Sequence, residues 1–162
     1  MLEIRKSTYD DLDRIAEIFA YARKQMALNG NPSQWKNDRP SMELVKKDID
    51  VFNSYVVLNE GKIVATFAFI VGIEPTYLDI DGKWLDDDPY GTIHRIASDG
   101  SVKGVFNQVI DYVSKRGVDI RIDTHKDNKI MRHLIEKNGF VYCGIIIVDD
   151  GTPRLAYQKK IR

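Results

Sequence analysis

The chain has 162 residues, 43% hydrophobic and 30% charged, the make-up of a soluble globular protein rather than a disordered or fibrous one. Its 24 basic and 24 acidic residues cancel, so no global field draws it to nucleic acid or to an anionic membrane. One cysteine, Cys143, excludes an internal disulfide framework and a cysteine-rich zinc site, and fits a reduced, cytoplasmic setting. The start, Met1-Leu2-Glu3-Ile4-Arg5, reads as free of an apolar signal region, and no run approaches a membrane span. The length predicts a single domain over 1–162.

Leu2–Lys6 alternates as a short strand. Ser7 or Thr8 then caps a helix, with Asp10 and Asp11 at capping-box spacing and Leu12, Ile15, Ala16, Phe19, Ala22 and Met26 as its apolar stripe. Asn29-Gly30-Asn31-Pro32 ends it, and a polar loop with Trp35 follows. Pro40-Ser41 starts a second helix with Met42, Val45, Ile49 and Phe52 on one face. Ser54–Leu58 and Lys62–Val71 are strands joined by a hairpin turn at Asn59-Glu60-Gly61. Gly72–Tyr90 reads as a long irregular segment, either a solvated insertion or a functional loop.

Thr92–Ser98 is the next strand. It runs through a glycine-bearing turn into a helix with Val102, Val105, Phe106, Val109, Ile110 and Val113 at helical spacing, stopped by Gly117. A helix that opens just above a strand end offers N–H groups to phosphate oxygens. The strict alternation of Val118–Thr124 predicts a strand with one face buried. Asp127 or Asn128 caps a further helix carrying Ile130, Met131, Leu134 and Ile135, closed by Asn138-Gly139. Phe140–Val148 and Arg154–Lys160 are the last strands, joined by a turn over 149–153. The order β-α-α-β-β-loop-β-α-β-α-β-β indicates an α/β fold: a central mixed sheet flanked by helices.

Two local motifs stand out in that order. The first is Ser101-Val102-Lys103-Gly104-Val105-Phe106, between a strand and a helix; a glycine inside the first helical turn costs roughly 1 kcal/mol against alanine, which points to a local need for it. The second is Asp127-Asn128 followed by Glu136-Lys137-Asn138-Gly139-Phe140. Together with the element order they resemble the GNAT superfamily of acetyl-CoA-dependent N-acetyltransferases over nearly the whole chain. The first resembles the family's Gln/Arg-x-x-Gly-x-Gly/Ala phosphate turn, with Gly104 kept, Ser101 in place of Gln or Arg, and Phe106 in place of a small residue. The second is similar to Asn-x-x-Ala-x-x-x-Tyr-Glu-Lys-x-Gly-Phe, with Asn128, Glu136, Lys137, Gly139 and Phe140 kept and Ile135 in place of the tyrosine that often protonates the leaving thiolate.

The resemblance implies acetyl-CoA as cosubstrate and direct acetyl transfer to a primary amine of a small molecule or peptide. It implies that two central strands splay apart and that backbone groups of Ile96, Ala97 and Ser98 pair with the pantetheine arm. It assigns Ser101, Val102, Lys103, Gly104, Val105 and Phe106 to the pyrophosphate and Asn128 to the pantetheine. A backbone N–H near Ile96 would polarise the thioester carbonyl.

His94, just before these residues, is the candidate base that takes the amine's proton; a half-buried structural histidine accounts for it equally well. Phe106 has a second reading, as a core residue facing the sheet. The alternative function is a CoA-binding sensor or regulatory module with little chemistry, which Phe106 and Ile135 favour.

His125 sits where it could edge the cleft, and His133 reads as solvent-exposed; the histidine spacing gives no metal site. Cys143 reads as a buried structural thiol; Tyr142 has a hydroxyl that could replace the missing acid, with nothing in the sequence to favour that; and Asp86-Asp87-Asp88 reads as a solvated acidic turn or as a lure for a cationic amine. Trp35, Tyr77 and Trp84 are candidates for the acceptor wall or for local packing anchors. The final strands are apolar enough to pair in a homodimer, though a core explains them as well.

Overall fold

The computed structural model describes residues 2–36 and 38–161; Met1, Asn37 and Arg162, which the reading of 1–162 as one domain takes in, lie outside the described residues. In chain order the elements are β1 (Leu2–Lys6), α1 (Leu12–Leu28), α2 (Met42–Asp50), β2 (Ser54–Asn59), β3 (Lys62–Val71), β4 (Asp81–Gly82), β5 (Tyr90–Ser98), α3 (Val105–Ser114), β6 (Asp119–Thr124), α4 (Lys129–Lys137), β7 (Val141–Ile147) and β8 (Pro153–Lys159). The fold is mixed α/β, as the pattern of apolar residues predicts, and its sheet has eight strands rather than the seven expected, because β4 lies within the segment read as irregular. The chain divides into two compact units: residues 1–69 with 94–113, and residues 70–93 with 114–162.

In the first unit the strand order is β1-β2-β3-β5. β1 and β2 are antiparallel, from Leu2↔Asn59 to Lys6↔Tyr55. β2 and β3 form the expected hairpin. Its two loop residues, Glu60 and Gly61, hold φ of 50° and 80°, the pair of positive values a two-residue hairpin of the right twist requires. α1 and α2 cover this sheet with Ile15, Ile18, Phe19, Val45 and Ile49, which pack with Val56, Leu58 and Ala97 in one buried cluster. Each such side chain contributes about 1.5–3 kcal/mol by leaving water.

Three local expectations change here. A single 3₁₀ turn, Tyr9–Asp11, precedes α1, and the carboxylate that closes the cap is that of Asp11, which accepts the Thr8 N–H at 2.8 Å. Phe52 lies beyond the end of α2 with φ 61° and is 66% exposed, so it is not part of that helix's packing face. Val102 is not on α3, which starts at Val105.

In the second unit the order is β5-β6-β8-β7-β4. β5 and β6 are parallel over Tyr90↔Asp119 to Thr92↔Arg121; β8 pairs antiparallel with β6 and with β7. The segment 72–90 is more ordered than its composition suggests. Pro75–Tyr77 makes a 3₁₀ turn, and β4 pairs with β7 through Gly82↔Gly144. Neither glycine has room for a side chain: a Cβ on either would run into the other strand's backbone.

Tyr77 is not an acceptor-wall aromatic. It is 2% exposed in a core cluster with Tyr90, Ile146 and Ala156. Trp84 packs on it at 5.0 Å between ring centroids and donates its indole N–H to the Tyr77 carbonyl. Trp35, in the first unit, meets Phe19 edge-on at 5.4 Å. All three aromatics are packing anchors.

β6 departs from the expected half-buried strand. Its polar residues Asp119 and Arg121 are 4% exposed each, so its two faces are both covered. The Arg121 guanidinium lies between the Trp84 and Tyr90 rings, at 4.0 and 3.9 Å from their centroids, a cation–π arrangement favoured where water is excluded. Asp123 accepts the Tyr77 hydroxyl at 2.6 Å. The acidic turn is tied down as well. The Lys160 ammonium reaches Asp86, Asp88 and Asp119 at 2.5, 2.9 and 2.5 Å. Hydrogen bonds to these carboxylates, Asp119 first, raise the lysine's pKa.

Candidate functional site

β5 beyond its ladder with β6 carries the expected reactive residues. His94 is half-buried, and the residue after it, Arg95, favours ionisation of Asp48 on α2. That arginine was not singled out by the sequence. Arg95 holds φ at 53° in mid-strand, in the left-handed region, which costs a side-chain-bearing residue roughly 1–2 kcal/mol. Its guanidinium forks onto Asp48 at 2.8 and 2.9 Å. Asp48 is 6% exposed, and burial raises its pKa against the pull of Arg95 and His94. A small cleft of about 10 Å³ beside this pair, the size of one water, is lined by Asp48, Arg95, Ser54 and Thr66 among apolar neighbours. A buried fork at a strained backbone position fixes the course of β5 where Ile96, Ala97 and Ser98 follow.

The turn after β5 is held from several sides. Asp99 donates its N–H to the Val64 carbonyl at 2.9 Å. Its Oδ1 accepts both the Ser101 N–H (2.9 Å) and the Ser101 hydroxyl (2.6 Å), and its Oδ2 accepts from Arg14 of α1 at 2.6 Å. Partial burial works to raise the Asp99 pKa, but the two Ser101 bonds and Arg14 bring it below the usual carboxylate value. Val102 is half-buried, and Ser101, Lys103 and Gly104 are exposed.

Gly104 is not inside the first helical turn, as its spacing suggested. It is the residue before α3, with φ 78°, and its carbonyl accepts the Gln108 N–H at 3.2 Å. Nothing lies within 4 Å of where its Cβ would be. The glycine is therefore required here by its backbone angle rather than by crowding. Val105 and Phe106 open the helix, and their side chains are 8% and 5% exposed. The Phe106 ring belongs to the core, not to the exposed rim of the turn.

In the second unit Asn128 caps α4: its Oδ1 accepts the Met131 N–H at 3.1 Å. His125, at the strand end before it, accepts the Asp127 N–H on Nδ1 at 3.0 Å, which leaves the proton of a neutral ring on Nε2. Burial, then Arg154, lowers its pKa. Ile135 is fully buried. His133 is exposed, and Tyr142 is half exposed on β7. Burial raises the Cys143 thiol pKa, as suits a structural cysteine rather than a nucleophile. The oxygens of Asp86, Asp88 and Asp119 lie within 4.8 Å of one another, and the Lys160 ammonium is the cation they share. Among the described residues no helix is long and apolar enough to cross a membrane.

The first unit thus brings together His94, Arg95, the backbone of Ile96–Ser98 and the turn Ser101–Val105. Asn128 sits at a helix cap of the second. The Asp99-Gly100-Ser101 hydrogen bonds had a signal in the sequence, an aspartate two residues before a serine. Arg14 and Asp48, which lie 85 and 47 residues from their partners, had none.

No protein-family model and no curated protein matches the chain. Solved structures do. One is a GNAT-family acetyltransferase from Streptococcus agalactiae, 34% identical over 98% of this chain and 95% of that one, with a TM-score of 0.86. A second, from Staphylococcus aureus Mu50 and also assigned as an acetyltransferase, is 28% identical over 98% and 99% of the two chains, with a TM-score of 0.71. A third, from Salmonella typhimurium, is assigned to the acetyltransferases and was solved with its cofactor acetyl-CoA; it is 14% identical over 99% and 94%, with a TM-score of 0.62, and shares the fold.

Proposed function

The chain belongs to the GNAT family of acetyltransferases, and from that premise we propose that it is one domain that transfers an acetyl group from acetyl-CoA directly to a primary amine of a small molecule or peptide. The observation that carries this reading is the junction of β5 and α3. An exposed glycine with φ 78° stands just before a ten-residue helix, at the end of the six-residue turn that follows the strand bearing His94. Such a junction presents N–H groups and the positive helix end to an anion. The residues fit the cosubstrate's diphosphate, because Gly104 keeps the turn open and the Phe106 ring is turned into the core.

Acetyl-CoA supplies an activated thioester carbonyl. Ser101, Val102, Lys103, Gly104, Val105 and Phe106 hold its phosphates through the turn and the first N–H groups of α3. Ile96, Ala97 and Ser98 align its pantetheine amides along β5. His94 takes the proton from the attacking amine, a task suited to an imidazole near neutral pH. Ile135 has no proton to give, so the leaving thiolate takes one from another group or from water. With the Phe106 ring in the core, only Ile135 still favours a CoA-binding module without catalysis.

A thermal-shift titration with acetyl-CoA, CoA and a nucleotide lacking a thiol tests the binding step, since a ligand selective for the folded state raises Tm. Stabilisation by both CoA species and thiol release with at least one amine of a panel is the expected result. No stabilisation by either CoA species would sink the reading. In the active enzyme, His94→Ala should lower kcat and remove a near-neutral limb from the pH profile; an unchanged profile rules His94 out as the base.

A further inference from the structure

The phosphate turn contains a negative charge where an anion should dock. The Asp99 carboxylate is built into the turn, because its Oδ1 accepts both the Ser101 N–H and hydroxyl. Position 101, where the resembled motif has Gln or Arg, carries only that hydroxyl. The compensating charge comes from elsewhere. Arg14, on α1, places Nη2 at 2.6 Å from Asp99 Oδ2 and Nε at 3.0 Å from the Ile63 carbonyl. Two contacts on separate groups fix the guanidinium plane, and the side chain remains 28% exposed. One heptad on, the Tyr21 hydroxyl covers Gly100 so closely that a Cβ there would stand 2.7 Å from it. α1 is therefore laid against the start of this turn.

We propose that Arg14 is the charge-compensating cation of the phosphate turn, brought by α1 because position 101 is a serine, so that the cosubstrate's diphosphate meets a turn freed of the Asp99 charge. This rests on the acetyl-CoA reading above. Formal charges set the expectation. Glu17, one turn on along α1, also stands 4.0 Å from Arg14 Nη1, but its side chain is 69% exposed and screened by water. Of the charges on the turn itself, Asp99, Arg14 and Lys103 sum to a single positive charge. Without Arg14 the turn is neutral, and without the Asp99 charge it is doubly positive.

The test measures the affinity of the intact chain for CoA and for acetyl-pantetheine, which lacks the diphosphate. The variants are R14Q, R14K, D99N and R14Q/D99N, with ligand-free Tm as the folding control. D99N keeps a side-chain oxygen for the Ser101 bonds while losing the charge, and R14K keeps the charge without the second contact to the Ile63 carbonyl. The expected result is CoA affinity about tenfold lower in R14Q at low salt, higher in D99N, and near wild type in R14K and in the double variant. The R14Q effect should shrink as salt rises. Acetyl-pantetheine affinity should not change across the set.

If R14Q binds CoA as the wild type does, or loses CoA and acetyl-pantetheine affinity equally, the assignment of Arg14 is wrong. If R14Q fails to fold, the same decision falls to D99N and R14K: D99N no tighter than wild type, or R14K as weak as a neutral variant should be, overturns it. A wild type that binds acetyl-pantetheine and CoA equally well also overturns it, because the turn then does not sense the diphosphate. A wild type that binds neither defeats the acetyl-CoA reading itself.

Discussion

Replacing Arg95 with glycine sets two energies of the first unit against each other. Arg95 holds φ at 53°, a left-handed angle whose cost of roughly 1–2 kcal/mol glycine would relieve. The same change strips the fork at 2.8 and 2.9 Å from Asp48, which is 6% exposed. Removing one partner of a buried pair costs about 3–5 kcal/mol. The difference leaves R95G less stable at neutral pH by about 1–4 kcal/mol, at roughly 2–4 °C in Tm per kcal/mol for a chain of this size.

The pH dependence carries the signature. Burial sets the Asp48 pKa above its ordinary value, while Arg95 and His94 pull it down. A carboxyl raised on folding favours the folded state below its unfolded pKa and loses that contribution as pH rises through the folded one. Taking Arg95 away moves the folded value higher and stretches the falling limb toward neutrality. The R95G deficit should thus be smallest near pH ~4 and grow with pH. D48N/R95G should recover most of it and lose the dependence. Urea unfolding across pH, read at unchanged slope, measures this. An R95G variant as stable as wild type at neutral pH, or with a deficit that ignores pH, would refute the reasoning.

Gly104→Ala should cost about 1 kcal/mol, since only the angle of 78° opposes a Cβ with nothing within 4 Å; a fall in Tm well above ~4 °C would mean the turn is more crowded than it looks. Asp11→Asn should cost about 1–2 kcal/mol at neutral pH. Arg5, then the Thr8 N–H, lowers the Asp11 pKa against burial, so its contribution is present above the ordinary carboxylate range and lost as pH falls through the depressed value. Wild type and D11N should therefore converge in acid-unfolding curves; a gap that persists there would mean that the lost contact is not ionic.

The order of elements along the chain was legible because apolar runs, glycine turns and helix caps agree; the order of strands across the sheet, with β8 between β6 and β7, was not. The hairpin at Glu60-Gly61, the Asn128 cap and the burial of Cys143 all followed from local chemistry. Of the candidate site, the strand, the turn and the need for Gly104 could be read, although its place one residue outside the helix could not. Partners far apart in sequence stayed hidden, as Asp48 for Arg95 and Arg14 for Asp99 illustrate. β6 misled for a related reason. Alternation separates apolar from polar, and polar usually means wet; here Arg121 is covered by two aromatic rings and Asp119 by Lys160 and Gln158.

The packing of the two tryptophans has an optical consequence. The chain has two, and they fall one to each compact unit: Trp35 edge-on to Phe19 in the first, Trp84 against Tyr77 and the Arg121 guanidinium in the second. Each unit thus carries its own fluorophore, in its own electrostatic surroundings. Trp35→Phe and Trp84→Phe would leave single emitters, and comparing their melting curves would reveal without any label whether the two units unfold together or in sequence.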